Sequence, residues 1–177
     1  MNHEDKPSNF TWEGLGSIET GRKTLGPDMP VIVYRLFQYT LKDILSREYD
    51  EKTAADLYRA AGHLAGMELA NNVLDLSGDL DFFVANLTNK LMELKVGILR
   101  VEKADLDTLS FVMTVSEDLD CSGLPITGET VCDYDEGFIA GILEAYTGQP
   151  FTVREIDCWA TGGRTCRFAV EPKKDTD

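Results

Sequence analysis

The sequence predicts an α+β domain in which helices pack on a twisted, mostly antiparallel sheet. Three segments with apolar residues at helical spacing occupy the first half of the chain, and short segments with alternating apolar residues occupy the second half. One further helix is inserted between the strands. Helices followed by a run of strands are typical of α+β domains. A chain of 177 residues with 43% hydrophobic residues is long enough to bury one such core.

The N-terminal third of the chain contains the first predicted helix. Residues 1–20 are expected to form a flexible segment, and the Gly- and Pro-rich residues 12–30 indicate turns and strand fragments. The helix itself is expected over residues 31–49, because Pro30 suits a first helical turn. Its apolar residues recur at helical spacing: Val33, Phe37, Leu41 and Ile44.

A second helix is expected over residues 50–74, where acidic residues stand at the favourable N-terminal end. One face of this helix is built from small residues: Ala61, Gly62, Ala65 and Gly66. Such a face favours close packing of two helices, with contact to a ligand as the alternative. A third helix is expected over residues 79–97, with apolar positions at Phe82, Phe83, Leu87 and Leu91.

The second half of the chain changes to the period of a strand. Residues 96–118 predict two strands joined by a turn at residues 104–107, followed by a loop and a helix over residues 132–148. Residues 153–170 predict a closing hairpin. On the second strand, alternate residues share one face, which would line the core: Leu109, Phe111, Met113 and Val115.

Three of the four cysteines lie on elements that can meet. A three-residue loop at residues 161–163 would place Cys158 opposite Cys166, on a face shared with Ile156, Phe168 and Val170. Two thiolates at that separation can share a zinc ion, whose Zn–S bonds are about 2.3 Å. Cys132 stands at the start of the inserted helix, where the helix dipole favours a thiolate, and shares a stripe with Ile139 and Tyr146.

The residues alone leave the fourth ligand open between Glu155 and Cys121. Glu155 precedes Cys158 by three positions, so a regular strand would direct it to the opposite face, and only a bulge would bring it inward. Cys121 lies in a loop that the sequence does not place. The alternative to a metal site is a set of buried cysteines that act as small apolar residues.

The charge of the chain narrows its partners. Lys and Arg total 17 against 31 Asp and Glu, a formal charge of -14, and so acidic a surface disfavours nucleic acid and anionic membranes. No apolar run is long enough for a transmembrane helix, and the N-terminus does not resemble a signal peptide. We therefore expect a cytoplasmic protein whose cysteines are reduced.

Three motifs carry a family resemblance. The loop CSGLP, the sequence of Cys132 followed by GFIAG, and the pattern E-x-x-C-x7-C resemble the 4-vinyl reductase domain family. The stretches GRKTLG and LYRAAGHLAG extend the resemblance to residues 21–170. It implies an α+β fold similar to a subunit of the TRAPP tethering complex, often as a dimer, and similar to sensor domains of bacterial activators that respond to phenols and other aromatics.

The resemblance also implies a zinc site of three Cys and one Glu. The spacing transfers it to Cys132, Glu155, Cys158 and Cys166, which leaves Cys121 as a loop thiol nearby. It further implies a ligand pocket, in which Phe111 stands where aromatic sensors have Trp. The family's pocket His has no clear counterpart, and His63 is expected to be a packed or surface residue. A pocket that includes Phe111 and Met113 would prefer an apolar ligand to a phenol.

Taken together, these features predict a stand-alone domain over residues 21–171, followed by a polar tail at 172–177, that binds or senses a small hydrophobic molecule. A structural zinc would staple its C-terminal hairpin, and a homodimer is expected. The alternatives are an accessory factor in tetrapyrrole vinyl reduction and a protein-interaction subunit without a ligand. The sequence has no nucleophile–base pair, dinucleotide fingerprint or phosphate loop, so an enzyme is the less favoured expectation.

Overall fold

The computed structural model describes residues 8–173, so residues 1–7 and 174–177 lie outside it, with most of the predicted polar tail. The chain forms five helices and four strands within that range. The helices are α1 (Ile18–Gly21), α2 (Val31–Glu48), α3 (Glu51–Val73), α4 (Leu80–Glu93) and α5 (Asp133–Thr147). The strands are β1 (Ile98–Asp105), β2 (Ser110–Ser116), β3 (Phe151–Asp157) and β4 (Cys166–Pro172).

The four strands form one antiparallel sheet in the order β1-β2-β4-β3. This confirms the predicted α+β class. The predicted strand fragments before α2 are wrong, because residues 12–15 form a single 3₁₀ turn and residues 18–21 form α1. The Thr11 side chain caps the 3₁₀ turn by accepting a hydrogen bond from the Gly14 N–H.

Helices α4 and α5 cover the inner face of the sheet. Phe111, Met113 and Val115 alternate with more exposed residues along β2 and are all buried under these helices. Leu109, predicted on the same face, precedes the strand in a left-handed conformation with φ 50°. The ring of Tyr146 on α5 stacks on that of Phe83 on α4, with 3.9 Å between centroids, which ties the two covering helices together.

Helix α3 packs on α5 and not on the sheet. The four glycines at this contact lie against backbone of the opposite helix, two on α3 and two on α5: Gly62, Gly66, Gly137 and Gly141. The prediction of close helix packing for the small face of α3 therefore describes the contact. The expectation that this face also covers the sheet is wrong, because α5 lies between them.

Helix α2 is attached mainly through polar side chains. The predicted stripe of Val33, Phe37, Leu41 and Ile44 faces outward, and the Phe37 side chain is 68% exposed. The opposite face donates hydrogen bonds from Tyr34, Arg35, Gln38 and Tyr39 to the loop after β2. Apolar periodicity thus identified the helix but not the face that the domain buries.

Candidate metal centre

All four cysteines converge on one buried cluster. The sulfur atoms of Cys121, Cys132, Cys158 and Cys166 all lie within 4.8 Å of one another. The Sγ of Cys132 lies 3.9 Å from those of Cys158 and Cys166, and the Sγ atoms of Cys121 and Cys166 are 2.9 Å apart. Each of the four residues is at most 1% exposed. The sequence predicted three of these cysteines at one site, and the structure adds Cys121.

Each sulfur is positioned by a different local feature. Cys132 is the N-cap of α5, and Cys166 begins β4 opposite Val115. Cys158 directly follows β3 and precedes the 3₁₀ turn Trp159–Thr161, which takes up part of the hairpin connection. Four parts of the fold therefore contribute one thiol each, and none of the cysteines is joined in a disulfide.

Cys121 is fixed by the loop that follows β2. Its N–H donates a 3.0 Å hydrogen bond to Oδ1 of Asp118, and the N–H of Asp120 donates to the same oxygen. The carboxylate of Asp118 thereby closes a tight turn that directs the next residues inward. The sequence did not place this thiol, because a loop has no periodicity from which to infer its direction.

A bulge in β3 brings Glu155 to the inner face. The pairing with β4 shifts between Glu155 and Asp157, so that Glu155 is buried while Ile156 is 51% exposed. The expectation that Ile156 shares the inward face of Cys158 is therefore wrong. The bulge is the feature that Glu155 needed in order to approach the cysteines.

The Glu155 carboxylate is held at the start of α5. Its Oε2 accepts hydrogen bonds from the N–H groups of Val131, at 3.1 Å, and Cys132, at 3.0 Å. Its Oε1 is buried without a hydrogen-bond partner among the described residues. Burial raises the pKa of Glu155 to about 8, against the opposing effect of the Cys132 N–H.

The sulfur spacing suits a single metal ion. Four thiolates at about 2.3 Å from one zinc ion stand about 3.8 Å apart at the corners of a tetrahedron. Both of the 3.9 Å separations match that value, and only the contact between Cys121 and Cys166 is shorter. The donor set therefore fits a mononuclear site for a metal that prefers sulfur ligands.

The electrostatics of the cluster favour an added cation. The pKa of Cys158 is held below its usual range by hydrogen bonds from Cys121, Cys132 and Cys166, while Cys121 raises the pKa of Cys132 and of Cys166. The thiols thus share a single thiolate. A divalent ion would relieve this restriction, because metal binding releases the remaining protons.

Three buried carboxyl groups stand beside the thiols. One carboxylate oxygen each of Asp118 and Asp135 lies with the Cys132 Sγ in a group whose members are within 4.8 Å of one another. Burial raises the pKa of both carboxyls and raises that of the neighbouring Asp120 to about 6. The sequence analysis missed this cluster, since acidic residues in a loop and in a first helical turn have ordinary explanations there.

A small apolar cavity of about 20 Å³ lies between α4, α5 and the sheet. Met113 lines it, whereas Phe111 is buried in the same sheet without bordering the cavity. Asp118 and Asp135 form its polar end, and the remaining walls are aliphatic or aromatic. A cavity of this volume holds about one water molecule.

His63 lies outside both the thiol cluster and this cavity. It borders an open surface cleft between α3, α5 and β3, and its Nε2 is 2.8 Å from Oε2 of Glu144. This position agrees with the expectation of a packed or surface histidine. No helix among residues 8–173 combines the length and apolar character needed to cross a bilayer.

Residues 111–172 match the family model of the 4-vinyl reductase domain. An uncharacterised protein of Methanocaldococcus jannaschii is 31% identical over 97 residues, 54% of this chain and 58% of that protein. A second from the same organism is 26% identical over 106 residues, 60% of each chain. The matched segments thus span less than two thirds of these curated relatives.

Solved structures share the fold. A vinyl-4-reductase family protein of Methanocaldococcus jannaschii has a TM-score of 0.61 at 16% identity, covering 95% of this chain and 100% of that one. The phenol-responsive sensory domain of the transcription activator PoxR, solved with phenol, has a TM-score of 0.61 at 18% identity, with 81% and 75% covered.

A trafficking protein particle complex subunit 3 from Naegleria fowleri, covalently bound to palmitic acid, has a TM-score of 0.62 at 14% identity, with 81% and 95% covered. Identities this low show a common fold and nothing finer. The family match and these structures confirm the resemblance that the motifs of the C-terminal half predict.

Proposed function

We propose that this chain is a small-molecule-binding module whose ligand is a hydrophobic molecule and whose C-terminal half is stapled by a zinc ion. The observation that carries the proposal is the apolar cavity between α4, α5 and the sheet, which stands next to the thiol cluster. A pocket with mainly apolar walls and a few polar groups is the usual form of a ligand site. A related fold in PoxR holds phenol, which supports the same use of this fold.

Ligand entry requires the cavity to open. A cavity that takes up a benzene ring measures about 150 Å³, far more than the space beside Met113. The walls are contributed by side chains of α4 and α5, including Leu87, Leu91 and Ile142. Separation of these helices would create the volume without breaking the sheet. The proposed ligand is therefore flat or elongated and apolar.

Zinc is proposed to be structural. Four protein ligands leave no position for water or substrate, so the ion would link α5 to the hairpin instead of taking part in chemistry. Reduced thiols are maintained in the cytoplasm, which is the compartment we propose. Cys132, Cys158 and Cys166 belong to the ligand set that the family resemblance implies, with Glu155 as its fourth member.

The ligand proposal is tested by calorimetric titration with a panel of hydrophobic molecules, beginning with toluene, naphthalene and a medium-chain alkane. Met113→Ala is expected to change the affinity for the molecule that binds by about tenfold, because Met113 lines the cavity. Phe111→Ala is expected to act more weakly through the shared sheet face. Met92→Ala and Phe82→Ala are matched controls, since both side chains are about half exposed on α4. No binding by any molecule of the panel would reject the proposal.

The exposed face of α2 favours a second copy of this chain as a partner. Val33, Leu36, Phe37 and Ile44 are each more than 45% exposed and lie along one helix, a larger apolar surface than a monomer usually presents. Light scattering after size exclusion is expected to report a dimer that Phe37→Glu converts to a monomer. A wild-type monomer across the micromolar range would contradict the dimer.

A further inference from the structure

We infer that Cys121, and not Glu155, is the fourth ligand of the metal, so that the ion also holds the loop that binds α2. This inference rests on the proposed metal site and changes its donor set. The site then links three parts of the chain that are far apart in sequence: the loop after β2, the start of α5 and the β3–β4 hairpin.

The positions of the donor atoms distinguish the two candidates. The Cys121 sulfur is within 4.8 Å of all three other sulfurs, and Cys121 is fully buried. The Glu155 oxygens do not belong to that group. Ligands of one zinc ion must converge at tetrahedral separations, and the four sulfurs alone already do so.

Glu155 has a different role in this arrangement. Its Oε2 accepts the N–H groups of Val131 and Cys132, which are among those at the start of α5 that the helix itself leaves unpaired. It therefore orients the residue that bears the Cys132 thiol. A carboxylate in that position supports a ligand from outside the coordination shell, as partners of metal ligands commonly do.

The loop that carries Cys121 is also the main docking site of α2. Tyr34 and Gln38 donate hydrogen bonds of 2.8 and 2.6 Å to the two carboxylate oxygens of Asp120. The Arg35 guanidinium donates to the carbonyl oxygens of Leu119 and Ser122, at 2.8 and 2.9 Å. Residues on both sides of Cys121 are thus bound by one face of α2.

Metal removal should therefore loosen α2 as well as the hairpin. The outer face of α2 is exposed, so the helix depends on these polar contacts for much of its attachment. If the metal holds Cys121 in place, its loss frees the loop, and the acceptors for Tyr34, Arg35 and Gln38 no longer have fixed positions. A set of ligands without Cys121 would leave the loop and α2 unaffected.

X-ray absorption spectroscopy of the purified zinc-bound chain tests the donor set directly. Four sulfur atoms at about 2.3 Å are expected, whereas three sulfur atoms and one oxygen at about 2.0–2.2 Å would overturn the inference. The second result would leave the proposed zinc site intact. Protein that contains no metal would instead reject both the site and this inference.

Two variants give an independent readout. Cys121→Ser is expected to weaken zinc binding by about 100-fold or more, measured by competition with a chromophoric chelator. Glu155→Gln retains an oxygen that can accept both N–H groups, and it is expected to keep zinc with an unchanged four-sulfur shell. The reverse order of effects would overturn the inference.

Hydrogen exchange followed by mass spectrometry measures the coupling to α2 in the wild-type chain, so it does not depend on whether a variant folds. Chelation is expected to speed exchange about tenfold or more in residues 118–122 and in residues 31–42. The terminal part of α4, residues 86–93, is the internal reference and should change less. Faster exchange confined to the hairpin would contradict a role for Cys121.

Discussion

Gly62 of α3 and Tyr134 of α5 are in backbone contact: a Cβ atom at Gly62 would lie 2.1 Å from the Tyr134 carbonyl oxygen. The relationship is reciprocal, because a Cβ atom at Gly137 of α5 would lie 1.9 Å from the carbonyl oxygen of Arg59 on α3. Any side chain at these positions would force the helices apart. The position of α5, which carries Cys132 and covers the cavity, therefore depends on this glycine contact.

Gly62→Ala is expected to destabilise the domain by about 3 kcal/mol, although alanine favours a helix over glycine. The physical reason is overlap with backbone atoms, which cannot rotate away as a flexible side chain can. Urea denaturation measures the change. Gly21→Ala is the matched control, because no atom lies within 4 Å of a Cβ built there. Equal stability of the two variants would contradict the contact.

Arg59→Ala is expected to cost about 2 kcal/mol. The guanidinium of Arg59 bonds to Glu136, whose side chain is only 8% exposed, and its removal leaves a buried carboxylate without its cation. Partial exposure of Arg59 keeps the cost below that of a fully buried pair. Arg47→Ala is the control, because its pair with Asp43 is exposed, and it should change stability by less than about 0.5 kcal/mol. Similar losses for both variants would argue against a special role for Glu136.

Cys158→Ser and Cys166→Ser are each expected to lower the melting temperature by about 10 °C or more and to release zinc, since a closed zinc site contributes directly to folding. Scanning calorimetry and elemental analysis provide the measurements. Chelation should lower the wild-type melting temperature by a similar amount and leave the two variants unchanged. Unaltered melting of both variants would show that the thiols act only as small apolar residues.

Asp50 is expected to give α3 a stability that depends on pH. Its carboxylate accepts the Thr53 N–H at 2.7 Å as the N-cap, and this backbone hydrogen bond, followed by that from the Thr53 hydroxyl, holds its pKa below the usual 3.8. Because the pKa is lower in the folded state, the contribution is complete above about pH 4 and is lost as the pH falls through the folded value.

The Asp50→Asn variant separates the charge from the cap, since Asn caps a helix about as well as Asp. Wild type is expected to match or exceed the melting temperature of this variant at pH 7 and to lose that advantage between about pH 4 and pH 2. Melting curves of both proteins across that range measure the difference. A constant difference would show that the Asp50 carboxylate does not titrate with the cap.

The sequence by itself determined the α+β class, the helices α2 to α5 and the closing hairpin. Periodicity carries this information, because apolar residues recur at 3.6 in a helix and at 2 in a strand. It also placed Cys132, Cys158 and Cys166 on elements that could meet. The small residues of α3 predicted a close helix contact, since only glycine permits backbone to approach backbone.

Only the tertiary structure decided which surfaces meet. The apolar stripe of α2 identified a helix, but the domain binds its polar face, because the loop around Asp120 offers buried carbonyl and carboxylate acceptors that the α2 side chains can satisfy. The bulge that turns Glu155 inward comes from a register shift against β4, which local pattern does not encode. Cys121 joins the cluster through a loop whose direction is fixed by contacts more than 80 residues away in the chain. Long-range contacts of this kind decide the direction of loops and the partners of helix faces, whereas local periodicity decides only that the helices and strands form.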